Sequence, residues 1–137
     1  MLNPISSNRN YLISYLAVWI FIFAVHAFII SFFYDLSIKT SIIDSAVFNA
    51  LFAIIGFNLW YVIRFNLRET PSVFDLVVNH LIVAVVIIAI WMSLGYFSLI
   101  YILKDQEPYL QFLNESLPWR AVMGIFYYLL FILFYYV

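Results

Sequence analysis

The sequence predicts an all-α membrane protein: a four-transmembrane-helix bundle with both termini cytoplasmic. Three observations predict it. Of 137 residues, 67% are hydrophobic and only 9% are charged, against ~45–50% apolar and ~25% charged in soluble domains. The few charges fall in groups, and between the groups lie four apolar runs near or above the ~20 helical residues that cross a hydrocarbon core. A chain this short leaves much of its surface exposed, so surface this apolar needs lipid around it. Within lipid every backbone polar group must be paired internally, which leaves helices as the open-ended solution.

The first run, 11–34, follows the polar stretch Ser6-Ser7-Asn8-Arg9-Asn10. It is too long for the apolar region of a secretory signal, and no small-residue cleavage site follows it. The second run, 42–63, has a capping signal at its start, Ser41-Ile42-Ile43-Asp44, and stops at Arg64. The third, 73–103, opens on the same S-x-x-D pattern, Ser72-Val73-Phe74-Asp75, with Pro71 just ahead. It exceeds what a bilayer needs and must tilt or project into water, and projection would bring Asp75 into the interface. Lys104-Asp105-Gln106-Glu107-Pro108 is then a polar turn. Beyond it Leu110, Leu113 and Leu117 recur at helical spacing among Gln111, Asn114 and Glu115. That pattern predicts either a short interfacial segment over 109–117 or an irregular loop. The fourth run is 119–137, and one domain spans 1–137.

Orientation follows from the basic residues. Arg9, Arg64 and Arg68 share one side, and Lys39, Lys104 and Arg120 the other. Arg120, inside the first turn of the fourth run, counts as an anchor more than as a loop charge, so the first side is placed in the cytoplasm. Aromatic belts match these depths, with Tyr11, Tyr15, Trp60, Tyr61, Tyr135 and Tyr136 inside and Tyr34, Tyr101 and Trp119 outside. The chain ends at Phe134-Tyr135-Tyr136-Val137, apolar and without a basic anchor. This reads as a piece of a longer protein that continues on the cytoplasmic side.

Polar residues inside the runs are the candidate functional residues, because lipid makes them costly. His26 and Asn49 share an outer depth, which permits an interhelical hydrogen bond. Such a bond is a packing contact of ~1 kcal/mol or less, or else His26 is a pH- or ligand-sensitive element. Asn58, Asn79 and His80 share an inner depth; they are either interhelical bonds beside an Asp75 cap or a cluster that changes partners when the helices shift. Arg120 opposes the macrodipole at a helix start. Its compensation would come from Glu115, Glu107, Asp44 or lipid phosphate, or it simply snorkels. Gly95 and Gly124 are expected at a close crossing of the third and fourth runs. Tyr127 and Tyr128 lie deep in the fourth run, where at least one hydroxyl needs a protein partner.

Other functions find no footing in the sequence. Net charge is −1, with no basic patch for nucleic acid. There is no cysteine, and three glycines provide no phosphate-binding loop. His26 and His80 lie ~10 Å or more apart in depth by helical rise, too far to share a metal ion. No nucleophile beside a base and no cofactor motif can be read, so the residues present carry no expected catalysis.

Three segments taken together carry a resemblance: Phe74-Asp75-Leu76-Val77-Val78-Asn79-His80-Leu81, Ser116-Leu117-Pro118-Trp119-Arg120, and the Gly124 and Tyr-rich close of the last run. The arrangement resembles the N-terminal membrane region of LytS/YehU-like sensor histidine kinases, particularly those of Bacteroidetes. The resemblance implies a multi-pass anchor and stimulus sensor in the bacterial inner membrane. It further implies a homodimer, a cytoplasmic kinase region beyond Val137 and a response regulator as partner. His80 lacks the Asn-Pro-His-Phe context of that family's phosphoacceptor. A small transport or channel subunit and a membrane scaffold are the alternatives.

Overall fold

The structure is a computed structural model that describes residues 3–66 and 72–136. Arg68, Pro71 and Val137 lie outside the described residues. One short helix, α1 (Pro4–Ser7), precedes four long ones: α2 (Arg9–Phe33), α3 (Ile38–Asn66), α4 (Val73–Ile102) and α5 (Glu107–Tyr136). All four long helices are long and apolar enough to cross a membrane, as the sequence predicts. The chain is a multi-pass helical bundle, turned inside out relative to a soluble one. Phe21, Phe65 and Phe74 are exposed at 69%, 81% and 76%, while Asp44 and Arg120 are buried at 0% and 1%. Only a lipid surround makes that distribution favourable.

Helix α3 is the centre of the bundle and packs against α2, α4 and α5. Its carbonyls also accept side-chain donors from each neighbour. Tyr15 of α2 donates to Ala53 O, Trp91 of α4 to Phe48 O, and Tyr135 of α5 to Gly56 O. At one end Thr40 donates to Gln106 (2.7 Å), joining the α2–α3 turn to the α4–α5 turn. In the first of these turns Asp35 takes a left-handed φ of 52°, which a short polar side chain tolerates where glycine is usual. At the other end Asn3, fully buried, donates to Phe57 O (2.6 Å). With Tyr135 on Gly56, this brings both ends of the described chain to one end of the bundle.

Two boundaries differ from the sequence reading. Helix α3 begins at Ile38, because Ser37 Oγ caps the backbone N–H of Thr40 and leaves the Ser41 pattern a turn inside the helix. Asp44 is therefore a buried residue and not a cap. The second difference is that α5 is continuous from Glu107, so 109–117 is neither an interfacial segment nor a loop but its first turns. The face that packs is Tyr109, Phe112, Leu113 and Ser116, all buried, rather than the leucine stripe alone. Pro118 lies inside this helix on its exposed side. It removes the donor to the carbonyl of Asn114, and packing of the flanking turns outweighs that loss. The Ser72 cap forms as predicted, its Oγ accepting from Asp75 N at 3.1 Å and donating to the carboxylate at 2.7 Å.

The middle of the bundle is an aromatic layer of Trp19, Phe52, Trp91, Tyr127 and Phe131. Phe52 stands at its hub, with ring centroids 4.9 Å from Trp91 and 5.1 Å from Tyr127. Glycines admit the large rings. A Cβ on Gly124 would meet Trp91 at 2.9 Å, so this glycine marks the α4–α5 crossing as expected. Gly95 instead faces the ring of Phe48, so it serves the α3–α4 contact and not the α4–α5 one. The topology has a direct check. Exposed Arg9 and Lys104 replaced singly by cysteine should react with an impermeant thiol reagent from opposite faces of vesicles. Reaction from one face for both would exclude four crossings.

Candidate functional site

The capping Ser37 and, within helix α3, Thr40, Ser41, Asp44, Ser45 and Asn49 follow one another at spacings of three and four, so they form one polar seam along the helix. From Thr40 to Asn49 the seam is buried. Residues from α2 and α5 close over it.

Asp44 is the hub. Its Oδ2 accepts from Arg120 Nη2 at 2.8 Å and from the Tyr109 hydroxyl at 2.5 Å. Arg120 Nε donates to Ser116 Oγ at 2.8 Å, and Ser116 donates onward to Leu113 O. The guanidinium also lies 4.1 Å from the Phe48 ring centroid and 4.9 Å from that of Trp119. A planar cation suits such a site, because its edge bonds the carboxylate while its faces meet aromatic rings. Arg120 thus neither snorkels nor pairs with Glu107 or Glu115. Fourteen positions into α5 by its number, it also lies far from the helix start, so the macrodipole conflict expected from the sequence does not arise.

His26 joins from α2. Asn49 Nδ2 lies 2.7 Å from Ser45 O and 3.0 Å from His26 Nδ1, which realises the interhelical bond expected between His26 and Asn49. A carbonyl can only accept, so the atom facing Ser45 O is the amide nitrogen. That nitrogen donates to Nδ1, and a neutral ring must then carry its hydrogen on Nε2. Nε2 faces Asp44 Oδ1 at 3.9 Å, and the Trp119 ring stands edge-on to the imidazole. Five buried polar atoms around this point have no hydrogen-bond partner: His26 Nε2, Asp44 Oδ1, Ser45 Oγ, Trp119 Nε1 and Arg120 Nη1. Buried polar atoms are nearly always paired, so this concentration marks the network apart from the rest of the bundle.

The other candidates separate. His80 lies between two hydroxyls of α5, with Nδ1 2.9 Å from Tyr128 and Nε2 2.9 Å from Tyr136. Tyr128 thereby gains the partner that its depth requires. Asn58 bonds back to Ile54 O of its own helix, and Asn58 and Asn79 are both exposed. The inner cluster of Asn58, Asn79 and His80 is therefore not assembled, because the faces carrying the two amides do not meet. Trp119, Tyr15 and Tyr135 each make a contact within the bundle.

From the sequence Asp44 was one of several possible partners for Arg120 and not a hub, and Tyr109, Ser45 and Ser116 were not candidates. The seam's three-and-four spacing was the available signal, masked by the resemblance of Ser41–Asp44 to a cap. Among the described residues, no three His, Asp or Glu side chains gather in a metal-binding arrangement. Compared with known protein families, curated proteins and solved structures, the chain matches none.

Proposed function

We propose that the chain is the membrane-anchoring and stimulus-sensing module of a bacterial two-component sensor histidine kinase. In this reading it sits as a homodimer in the cytoplasmic membrane, with both termini in the cytoplasm. Helix α5 passes the signal to a kinase region that acts on a response regulator. One observation carries the reading: a buried network of Asp44, Arg120, Tyr109 and His26 holds α2, α3 and α5 together on one side of the aromatic layer. Charged contacts in lipid are made or broken as discrete states, and a sensor needs two packings of similar energy.

A transport pathway is less well supported. The Asp44 network and the His80–Tyr128–Tyr136 group occupy different ends of the bundle, and Trp19, Phe52, Trp91, Tyr127 and Phe131 pack between them. The kinase reading is tested by translating the gene past Val137 and assaying the full protein. A histidine motif and nucleotide-binding boxes are expected, with autophosphorylation altered severalfold by Asp44→Asn. A stop codon close after Val137 would overturn it.

A further inference from the structure

The α3 seam has an open end and a closed end. At the open end Gln106 is exposed and accepts from the Thr40 hydroxyl, which lies 2.7 Å from Ser37 Oγ. Ser41 follows one residue on, its hydroxyl bonded to Ser37 O at 3.0 Å. One turn deeper stand Asp44 and Ser45, and then Asn49 with His26 beside it. From Ser37 to Asn49 the helix rises ~18 Å, more than half of the ~30 Å hydrocarbon thickness. Beyond Asn49 the seam meets Phe52 and the aromatic layer, and polar side chains stop.

A polar row of this kind is costly in a membrane unless its groups are paired, and pairing along the seam is complete at Thr40 and Ser41 but not at its deep end. The five unpartnered atoms at its deep end are four with hydrogens to donate and one carboxylate oxygen. Water satisfies both kinds, accepting from His26 Nε2 and donating to Asp44 Oδ1. We propose that the α3 seam is a one-sided inlet for water and protons, and that it ends at a proton-binding site made by His26 and Asp44. The proposal rests on the sensing function above and names its stimulus: acidification at the Gln106 end of the bundle.

The chemistry is a single proton uptake. A hydronium ion entering the seam gives up one proton: its O–H bond breaks, an N–H bond forms at His26 Nδ1 on the lone pair that now accepts from Asn49, and a water molecule remains. Both ring nitrogens then donate. Nε2–H faces Asp44 Oδ1, 3.9 Å away, and Nδ1–H needs an acceptor. Asn49 provides one by turning its amide to present Oδ1, which takes its nitrogen off Ser45 O. The two protonation states therefore have two distinct hydrogen-bond patterns. The charged groups facing His26 are Asp44 on α3 and Arg120 on α5, with Tyr109 of α5 bonded to the same carboxylate. A cationic ring puts a second positive charge on the free oxygen of the carboxylate whose other oxygen holds Arg120, and so changes the electrostatics of the tie between α5 and α3.

The test is ring-nitrogen NMR of the chain in lipid bilayers, with His80→Gln used to assign the second histidine. At about pH 8 His26 should be the neutral Nε2–H form, and stepwise acidification should convert it reversibly to the doubly protonated ring. A ring that stays neutral throughout, or that starts as the Nδ1–H form, overturns the proposal. Thr40→Val removes one hydroxyl of the inlet and should slow deuterium exchange at His26 Nε2 about tenfold; an unchanged exchange rate overturns the inlet. Neither readout involves a kinase. A titrating His26 in a full protein whose phosphorylation ignores pH would retain the proton site and remove the kinase reading.

Discussion

Replacing Arg120 with leucine should destabilise the bundle by about 3–5 kcal/mol, the cost of leaving a buried charge without its partner. The charge left behind is Asp44, at 0% exposure, with only the Tyr109 hydroxyl still on its carboxylate. Asp44→Leu should cost about as much, since it strands the guanidinium among Phe48, Phe112 and Trp119. The double variant, with leucine at both positions, should recover most of the loss, because an apolar pair of similar volume needs no desolvation of ions. Reversible unfolding in mixed micelles measures all three. A wild-type midpoint for Arg120→Leu would mean that the guanidinium reaches lipid headgroups instead of Asp44. Additive losses in the double variant would mean that the two residues do not interact.

Phe52→Ala should be the most damaging apolar substitution, at about 3 kcal/mol. Phe52 is fully buried and packs within 6.3 Å, centroid to centroid, of Trp19, Trp91, Tyr127 and Phe131. Lipid is as apolar as the ring's own site, so little of the loss is transfer out of water. It is lost dispersion contact around a cavity that four large rings cannot collapse to fill. Phe52→Leu keeps part of the volume and should cost about 1 kcal/mol. Equal unfolding midpoints for alanine and wild type would show that the aromatic layer contributes no packing energy.

How far the sequence could be read depended on the kind of signal. The helices were legible because lipid imposes one rule on every backbone group, and hydropathy alone tracks it. The third run, 73–103, differs from α4 by a single residue at its end. The His26–Asn49 bond was legible because both residues are rare at that depth and helical rise places them level. Asp44 was only one of several partners considered for Arg120, because its spacing from Ser41 is also that of a cap. Local chemistry favoured the cap, and the earlier Ser37–Thr40 cap took precedence.

By itself the sequence determined four apolar helices, their approximate ends, and the need for lipid, because each follows from composition along one helix and requires no knowledge of its neighbours. Which polar residues act together was decided by the tertiary structure alone. Helical rise orders residues by depth, but depth leaves rotation about the axis open, and rotation sets which faces meet. That is why Asn58 and Asn79, level with His80, are exposed away from it, while Asp44 lies against Arg120 from a helix 76 positions away.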